Sequence, residues 1–286
     1  MPSPTDPLRS LTDGSFRFQM SLRPGDGAPF FAPGPHHGEV MAERRALLAP
    51  RPTAYAAALP GTASLLNATA ALVQEWLAAT GTPAPPLPPC QESDHAATLA
   101  EWCAQAGSRW EPDWVVLTPD SNAGFPLVGG AVCFPSGWAL LDKLGRPLHE
   151  IHAPVPGLNP ALGRQIETFL DRLKPGAVWL RDNWGLSADS ALNHHPSLAL
   201  RPLDTNARLT ATWLRYEEQL LCRLPGAPGI LFGIRVGRVR LAEILPYPEV
   251  TRRLTTALKT MPEDVAAYKG IAAARNTLLQ QLSDVL

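Results

Sequence analysis

From Asp113 onward the apolar segments follow one another in an order that few folds can accommodate. Residues Asp113 to Thr118 and Leu127 to Phe134 are short and valine-rich, and Asp120, Ser121, Asn122, Ala123 and Gly124 between them have the composition of a turn. This reads as a β-hairpin. Beyond the turn-rich stretch Pro135 to Pro156, Leu162, Ile166, Phe169, Leu170 and Leu173 line one face of a helix over Ala161 to Leu173. Three further strands are expected at Ala177 to Leu186, Leu209 to Leu221 and Gly229 to Val236, the last two joined through Arg223, Leu224, Pro225 and Gly226. Two strands, a helical crossover and three strands predict an α+β domain.

That element order is the one found in the PAS fold, where an antiparallel sheet packs against its crossover helices and encloses a ligand cavity. Helices flank the sheet on both sides. Leu65, Leu66, Leu72, Val73, Trp76 and Leu77 recur at helical spacing over Thr62 to Thr80, and Gly81 with Pro83 ends that helix. Five prolines between Thr82 and Cys90 then predict a stiff extended linker dividing two layers. A second helix, capped by Ser93 or Asp94, buries Leu99, Trp102 and Cys103 and ends at Gly107. Helices return beyond Pro246, so we divide the chain into an N-terminal part (1–110), a sheet-and-crossover core (111–240) and C-terminal helices (241–286), packed as one unit.

Composition narrows the function classes. With 25 Lys+Arg against 26 Asp+Glu, the formal net charge of -1 supplies no global field for nucleic acid. Met1 to Ser10 lacks the basic and apolar regions of a signal peptide, and runs such as Trp114 to Leu117 and Ile230 to Phe232 are too short to span a bilayer. A cytoplasmic protein without a membrane or nucleic-acid partner is expected. Cys90, Cys103, Cys133 and Cys222 match neither a zinc ribbon nor an iron–sulfur spacing and read as reduced, mostly buried thiols. The G-x-S-x-G, P-loop and G-x-G-x-x-G signatures are all missing, which removes the usual markers of serine hydrolases, P-loop enzymes and Rossmann dehydrogenases.

Chemistry-bearing residues concentrate between Cys133 and Asn159. His149 and His152 are three apart, a spacing that puts both imidazoles on one face of a helical turn, and Pro154 leaves His152 at an irregular helix end. A neutral imidazole there can coordinate haem iron or another metal; it can equally be a histidine satisfied by backbone bonds. Arg181, Asp182, Asn183 and Trp184 interrupt one apolar strand. Arg215, Glu217 and Gln219 interrupt the next and share a face by alternation. A buried arginine needs a carboxylate such as a haem propionate, whereas on a solvated face these charges would pair across strands. The adjacent pairs His36-His37 and His194-His195 lie in proline-rich loops and read as surface residues.

Six segments together resemble one family: FRFQMSLRP (Phe16 to Pro24), CFPSGW (Cys133 to Trp138), DKLGRPLHEIHAPVPG (Asp142 to Gly157), RDNW (Arg181 to Trp184), LRYEEQLLCRLP (Leu214 to Pro225) and YKG (Tyr268 to Gly270). They are similar to the haem subunit of the haem-dependent oxidative N-demethylases, also called dimethylamine monooxygenases. The resemblance implies a PAS-like core binding haem b, and a monooxygenase reaction in which a small secondary amine and dioxygen give formaldehyde and a primary amine. It further implies a reductase, with electrons from NADPH delivered through flavin and iron–sulfur cluster on partner subunits. On this sequence it makes His152 the axial iron ligand, and Arg181, Arg215 and Trp184 groups of the haem or substrate pocket. Phe30, Phe31 and His36-His37 depart from the pattern that follows the SLRP segment, and Glu218 stands where the family carries arginine; these changes touch the substrate and partner surface more than the haem site. Two other readings remain open, a PAS-type haem or small-molecule sensor without turnover and an interaction subunit that has lost its cofactor.

Overall fold

The computed structural model describes residues 11, 14–120 and 124–285, so Met1 to Ser10 and Ser121 to Ala123 of the expected hairpin turn lie outside the described residues. In chain order, β1 (Arg23–Pro24), α1 (Gly27–Phe31), α2 (His37–Leu48), α3 (Pro52–Tyr55), β2 (Ala56–Ala58), α4 (Ala63–Ala79) and α5 (Ala96–Gly107) precede the hairpin of β3 (Asp113–Leu117) and β4 (Leu127–Ala131). The crossover consists of α6 (Leu148–His152) and α7 (Leu158–Arg172). Three strands follow, β5 (Val178–Ser187), β6 (Trp213–Arg223) and β7 (Ile230–Arg240), and then α8 (Leu241–Ile244), α9 (Pro248–Thr260), α10 (Glu263–Tyr268) and α11 (Ala272–Ser283). All strand pairs are antiparallel, in the order β1-β5-β6-β7-β3-β4-β2.

The run β5-β6-β7-β3-β4 has the strand order of the PAS fold, and the protein is α+β as the element order predicts. The flanking strands β1 and β2 are two and three residues long, too short to display a period of two. Strand β6 begins at Trp213 rather than Leu209, because Leu209 to Thr212 form a turn whose Leu209 N–H donates to Gln281 Oε1. Strand β7 runs on to Arg240, past the last apolar residue that sequence periodicity can follow. The guanidinium of Arg240 lies 4.8 Å from the centre of the Trp213 ring, so aromatic contact supports a charged strand end.

One face of the sheet is closed by the N-terminal helices. Trp114 of β3 meets Trp110 edge-on at 5.2 Å and Trp102 of α5 at 6.2 Å, an arrangement that lets ring edges face ring faces. The proline-rich stretch does not divide layers: it is pinned across α4 and α5, which share one apolar cluster. Trp102 Nε1 donates to Pro88 O at 2.7 Å, and Gln74 Nε2 to Ala84 O at 2.6 Å. Helix α5 starts at Ala96 without a side-chain cap, since the Asp94 carboxylate accepts the Gln91 N–H instead.

The opposite face receives the crossover. Leu162, Ile166 and Leu170 of α7 pack with Val115, Leu117, Leu221 and Ile230, and Phe169 meets Trp179 edge-on at 5.8 Å. Gly157 connects α6 to α7 at a φ of 75°, a left-handed conformation that suits glycine, and the Phe18 ring lies close over it. Trp184, Leu186 and Leu214 at the far end of β5 and β6 pack against Leu254, Leu258 and Leu278 of the C-terminal helices. All four cysteines are free and buried. No helix among the described residues is long and apolar enough to cross a membrane.

Candidate functional site

Alternation along β5 and β6 puts Arg181, Asn183, Arg215, Glu217 and Gln219 on the crossover face, in the register Arg181↔Gln219, Asn183↔Glu217 and Gly185↔Arg215. The face is buried, not solvated: Arg215, Glu217 and Gln219 are all below one-tenth exposed. Charges in such a place need partners. Arg215 finds them in the CFPSGW loop, donating through Nε to Ser136 Oγ at 2.9 Å and through its terminal nitrogens to Phe134 O at 2.7 Å, Pro135 O at 3.3 Å and Ala191 O at 3.2 Å. Glu217 accepts from Ser136 Oγ at 2.6 Å, Gln219 Nε2 at 2.7 Å and Asn183 Nδ2 at 3.3 Å.

The same loop is held from its other side. Asp113, fully buried, accepts the Cys133 and Phe134 N–H groups at 2.7 and 2.8 Å and pairs with buried Arg44 at 2.5 Å. The loop therefore hangs between two buried ions, and Arg215 spends four hydrogen bonds fixing it. In this arrangement the guanidinium of Arg215 positions the loop.

His152 is the last residue of the single-turn helix α6, as Pro154 dictates, and is half-buried, whereas His149 is exposed. Both histidines fall within the single turn of α6, three residues apart, and differ in burial. Burial, then the positive charges of Arg181 and Lys143, push the His152 pKa down to about 4, so its imidazole is neutral at pH 7. Lys143 donates to Ile151 O at 3.3 Å, within the same turn. Arg181 is the counterpart of His152 on β5. Its Nε is buried and has no hydrogen-bond partner.

Beside Arg181, a cleft of about 90 Å³ opens along the edge of β5, where β1 pairs with Leu180 and Trp179 and leaves the residues beyond uncovered by a strand. Phe16, Phe18 and Ser21 form one wall, Arg181 to Trp184 the other, and Ala257 and Lys269 close the end. Ser21 turns the wall at a φ of 46°, a left-handed conformation uncommon outside glycine. Trp184 is buried among the C-terminal helices, with the Lys269 ammonium 5.4 Å from its ring centre and donating to its carbonyl at 2.7 Å. A wider groove of about 610 Å³ lies on the exposed side of α7, lined by Asn159, Arg164, Phe169 and Arg172, and none of the sequence-predicted site residues reaches it.

The structure thus puts Arg181, Trp184 and Lys269 along the cleft at the β5 edge, with Trp184 turned to the opposite face of the sheet from Arg181, while His152 feels the charge of Arg181 on the crossover face and Arg215 lies farther along that face. Sequence reasoning missed Lys269 and Lys143. Their signal is scarcity, since the chain carries 4 Lys among its 25 Lys+Arg, and two of the four fall inside the segments that carry the resemblance. The histidine pairs are not simply surface residues. His194 is half-buried, bridges the CFPSGW loop through its N–H to Pro135 O, and lies 3.4 Å from Asp189; His37 meets Glu111 at 2.6 Å.

Residues 89–279 match the family described as haem-dependent oxidative N-demethylase, alpha subunit-like. The chain belongs to this family. The matched span contains the loop at Cys133, helix α6, the sheet strands β5 to β7 and Lys269, while the FRFQMSLRP wall of the cleft lies outside it. Membership makes the chain an oxidoreductase subunit of a haem-dependent N-demethylating family.

Proposed function

We propose that this chain is the haem-binding, oxygen-activating subunit of a multicomponent enzyme that demethylates a small secondary amine such as dimethylamine. The observation that carries the reading is the juxtaposition of a neutral, half-buried His152 with an Arg181 whose Nε has no partner. Neutral imidazole is the ligand type that iron takes in haem proteins, and an orphaned buried donor is the kind of group a bound anion satisfies. Trp184 and the phenylalanines of the N-terminal segment supply the apolar surroundings.

When bound, haem b would supply the activation of dioxygen that no amino-acid side chain provides. His152 would hold the iron through its neutral ring, with the irregular end of α6 fixing the ring direction. Arg215 and Asp113 would keep the CFPSGW loop in place beside it, and Phe16, Phe18 and Trp184 would exclude water from the amine. The overall reaction combines the secondary amine, dioxygen, two electrons and two protons into a primary amine, formaldehyde and water. The electrons would come from NADPH through flavin and iron–sulfur modules on partner subunits, because this sequence has neither a dinucleotide fingerprint nor a cluster spacing. A cytoplasmic setting suits the buried free thiols.

The test is turnover. Hemin-reconstituted protein, reduced chemically under air with dimethylamine present, should release formaldehyde, and NADPH without a reductase should release none. Formaldehyde from NADPH and this chain alone would refute the division of labour. A normal haem spectrum with no formaldehyde from any small secondary amine would favour a sensor.

A further inference from the structure

The reaction proposed above takes up two protons in a place from which apolar walls such as Phe16 and Phe18 keep water, so the protons need a route of their own. Glu217 stands on such a route. Only 8% exposed, it accepts from Ser136 Oγ at 2.6 Å through Oε1, and from Gln219 Nε2 at 2.7 Å and Asn183 Nδ2 at 3.3 Å through Oε2. Asn183 lines the cleft at the β5 edge, whereas Ser136 is exposed to solvent. The carboxylate therefore bridges bulk water and the cleft. Ser136 gives its one hydrogen to Glu217 and one lone pair to Arg215 Nε at 2.9 Å, so a second lone pair remains for a water molecule on its exposed side. Backbone bonds on both sides fix the serine in place, His194 N–H to Pro135 O at 3.1 Å and Gly137 N–H to His194 O at 3.1 Å. The groups that feel the charge of Glu217 are Arg215 on its own strand, Arg181 on β5, and Tyr268 and Lys269 at the end of α10.

We propose that Ser136 and Glu217 form a proton relay from solvent to the oxygen-reducing site, which rests on the haem reading above. In each transfer Glu217 Oε1 takes the Ser136 hydroxyl hydrogen while Oγ takes one from water, and the carboxyl group then releases a proton on the Asn183 side. One bond to hydrogen breaks and one forms at each hand-over, no electrons move, and bulk buffer restores the proton that water has lost. The hydroxyl is separable from the scaffold. Without it, Arg215 still holds the loop through Phe134 O, Pro135 O and Ala191 O.

Two measurements test the relay, one with haem and one without. Hemin-loaded protein, reduced with dithionite and mixed with air-saturated buffer in the absence of amine, is followed to the return of its oxidised spectrum in H2O and in D2O. The return should be slower in D2O by about twofold, and slower in Ser136→Ala and Glu217→Gln by about tenfold or more, while Ser136→Thr, which keeps the hydroxyl, stays within about threefold of wild type. Equal rates in wild type and variants without an isotope effect would overturn the relay and leave the haem reading standing. Slowing in Ser136→Thr as large as in Ser136→Ala would also overturn it, because the loop and not the hydroxyl would then set the rate. A protein that gives no Soret band with hemin removes the haem reading and the relay together. In the infrared spectrum of the apo protein, the carboxylate stretching band that Glu217→Gln removes should shift in Ser136→Ala. A band that stays in place would show that the serine does not donate to Glu217, and would overturn the relay whatever the haem does.

Discussion

Arg215 and Arg181 lie on adjacent strands, on the same buried face of one sheet, yet the structure uses them in opposite ways. At the Arg215 end four hydrogen bonds bind the guanidinium to Ser136 and to backbone carbonyls of Phe134, Pro135 and Ala191. At the Arg181 end the Nε is buried without a hydrogen-bond partner, and Glu217 and Asp182 reach the guanidinium through their charge. The difference separates framework from site. A buried ion whose donors are filled by the chain itself contributes to the fold, and one left wanting contributes to stability only when something else arrives.

The comparison breaks most visibly if Asp113 is removed. Asp113→Ala would strand buried Arg44 and the N–H groups of Cys133 and Phe134, and should lower unfolding free energy by about 3–5 kcal/mol. Chemical denaturation of the apo protein measures this, and a loss under about 1 kcal/mol would mean that the loop is not suspended from Asp113. Arg215→Leu should cost about 2–3 kcal/mol in the same assay, since Ser136 Oγ and three carbonyls lose their donor. Arg181→Leu should change apo stability by less than about 1 kcal/mol, or raise it, while weakening hemin retention. Equal destabilisation by the two leucine variants would erase the distinction between the ends.

A pH series sharpens the contrast at smaller amplitude. The folded pKa of His152, about 4, lies below the ~6.5 of an unfolded histidine, so between these values the unfolded chain binds the extra proton. Stability should therefore fall as pH drops from about 6.5 to 4, by roughly 2 kcal/mol once partial solvent exposure is allowed for, and His152→Ala should flatten that slope. Lys269 has its pKa lowered to about 8, by burial first and with Arg181 adding to it against the pull of Glu217. The smallest effect is expected at the thiols, where burial raises Cys90 to about 11 and Cys133 and Cys222 to about 12. Iodoacetamide at pH 8 should leave the native protein unlabelled, and rapid labelling would show that the core opens.

The order of strands and the apolar stripe of α7 were legible because each spans several periods of its pattern. Short pieces were not: β1 and β2 are fixed by what they pair with, and the end of β7 by stacking of Arg240 on Trp213. At the site, His152 was legible from Pro154 and the histidine spacing, and Arg181 from a charge inside an apolar strand. The roles of the two arginines were not separable, since both look alike until the loop at Phe134 is seen folded over Arg215. Lys269 sits 85 residues from the carbonyl it binds, a distance no local pattern can bridge.

The account turns on His152. Hemin titration of wild-type protein, His149→Ala and His152→Ala, followed in the Soret region in oxidised, reduced and carbon monoxide-bound forms, measures it directly. Wild type and His149→Ala should bind one equivalent with the spectrum of a histidine-ligated haem, and His152→Ala should lose that spectrum. An unchanged spectrum in His152→Ala, or its loss in His149→Ala instead, would contradict the assignment.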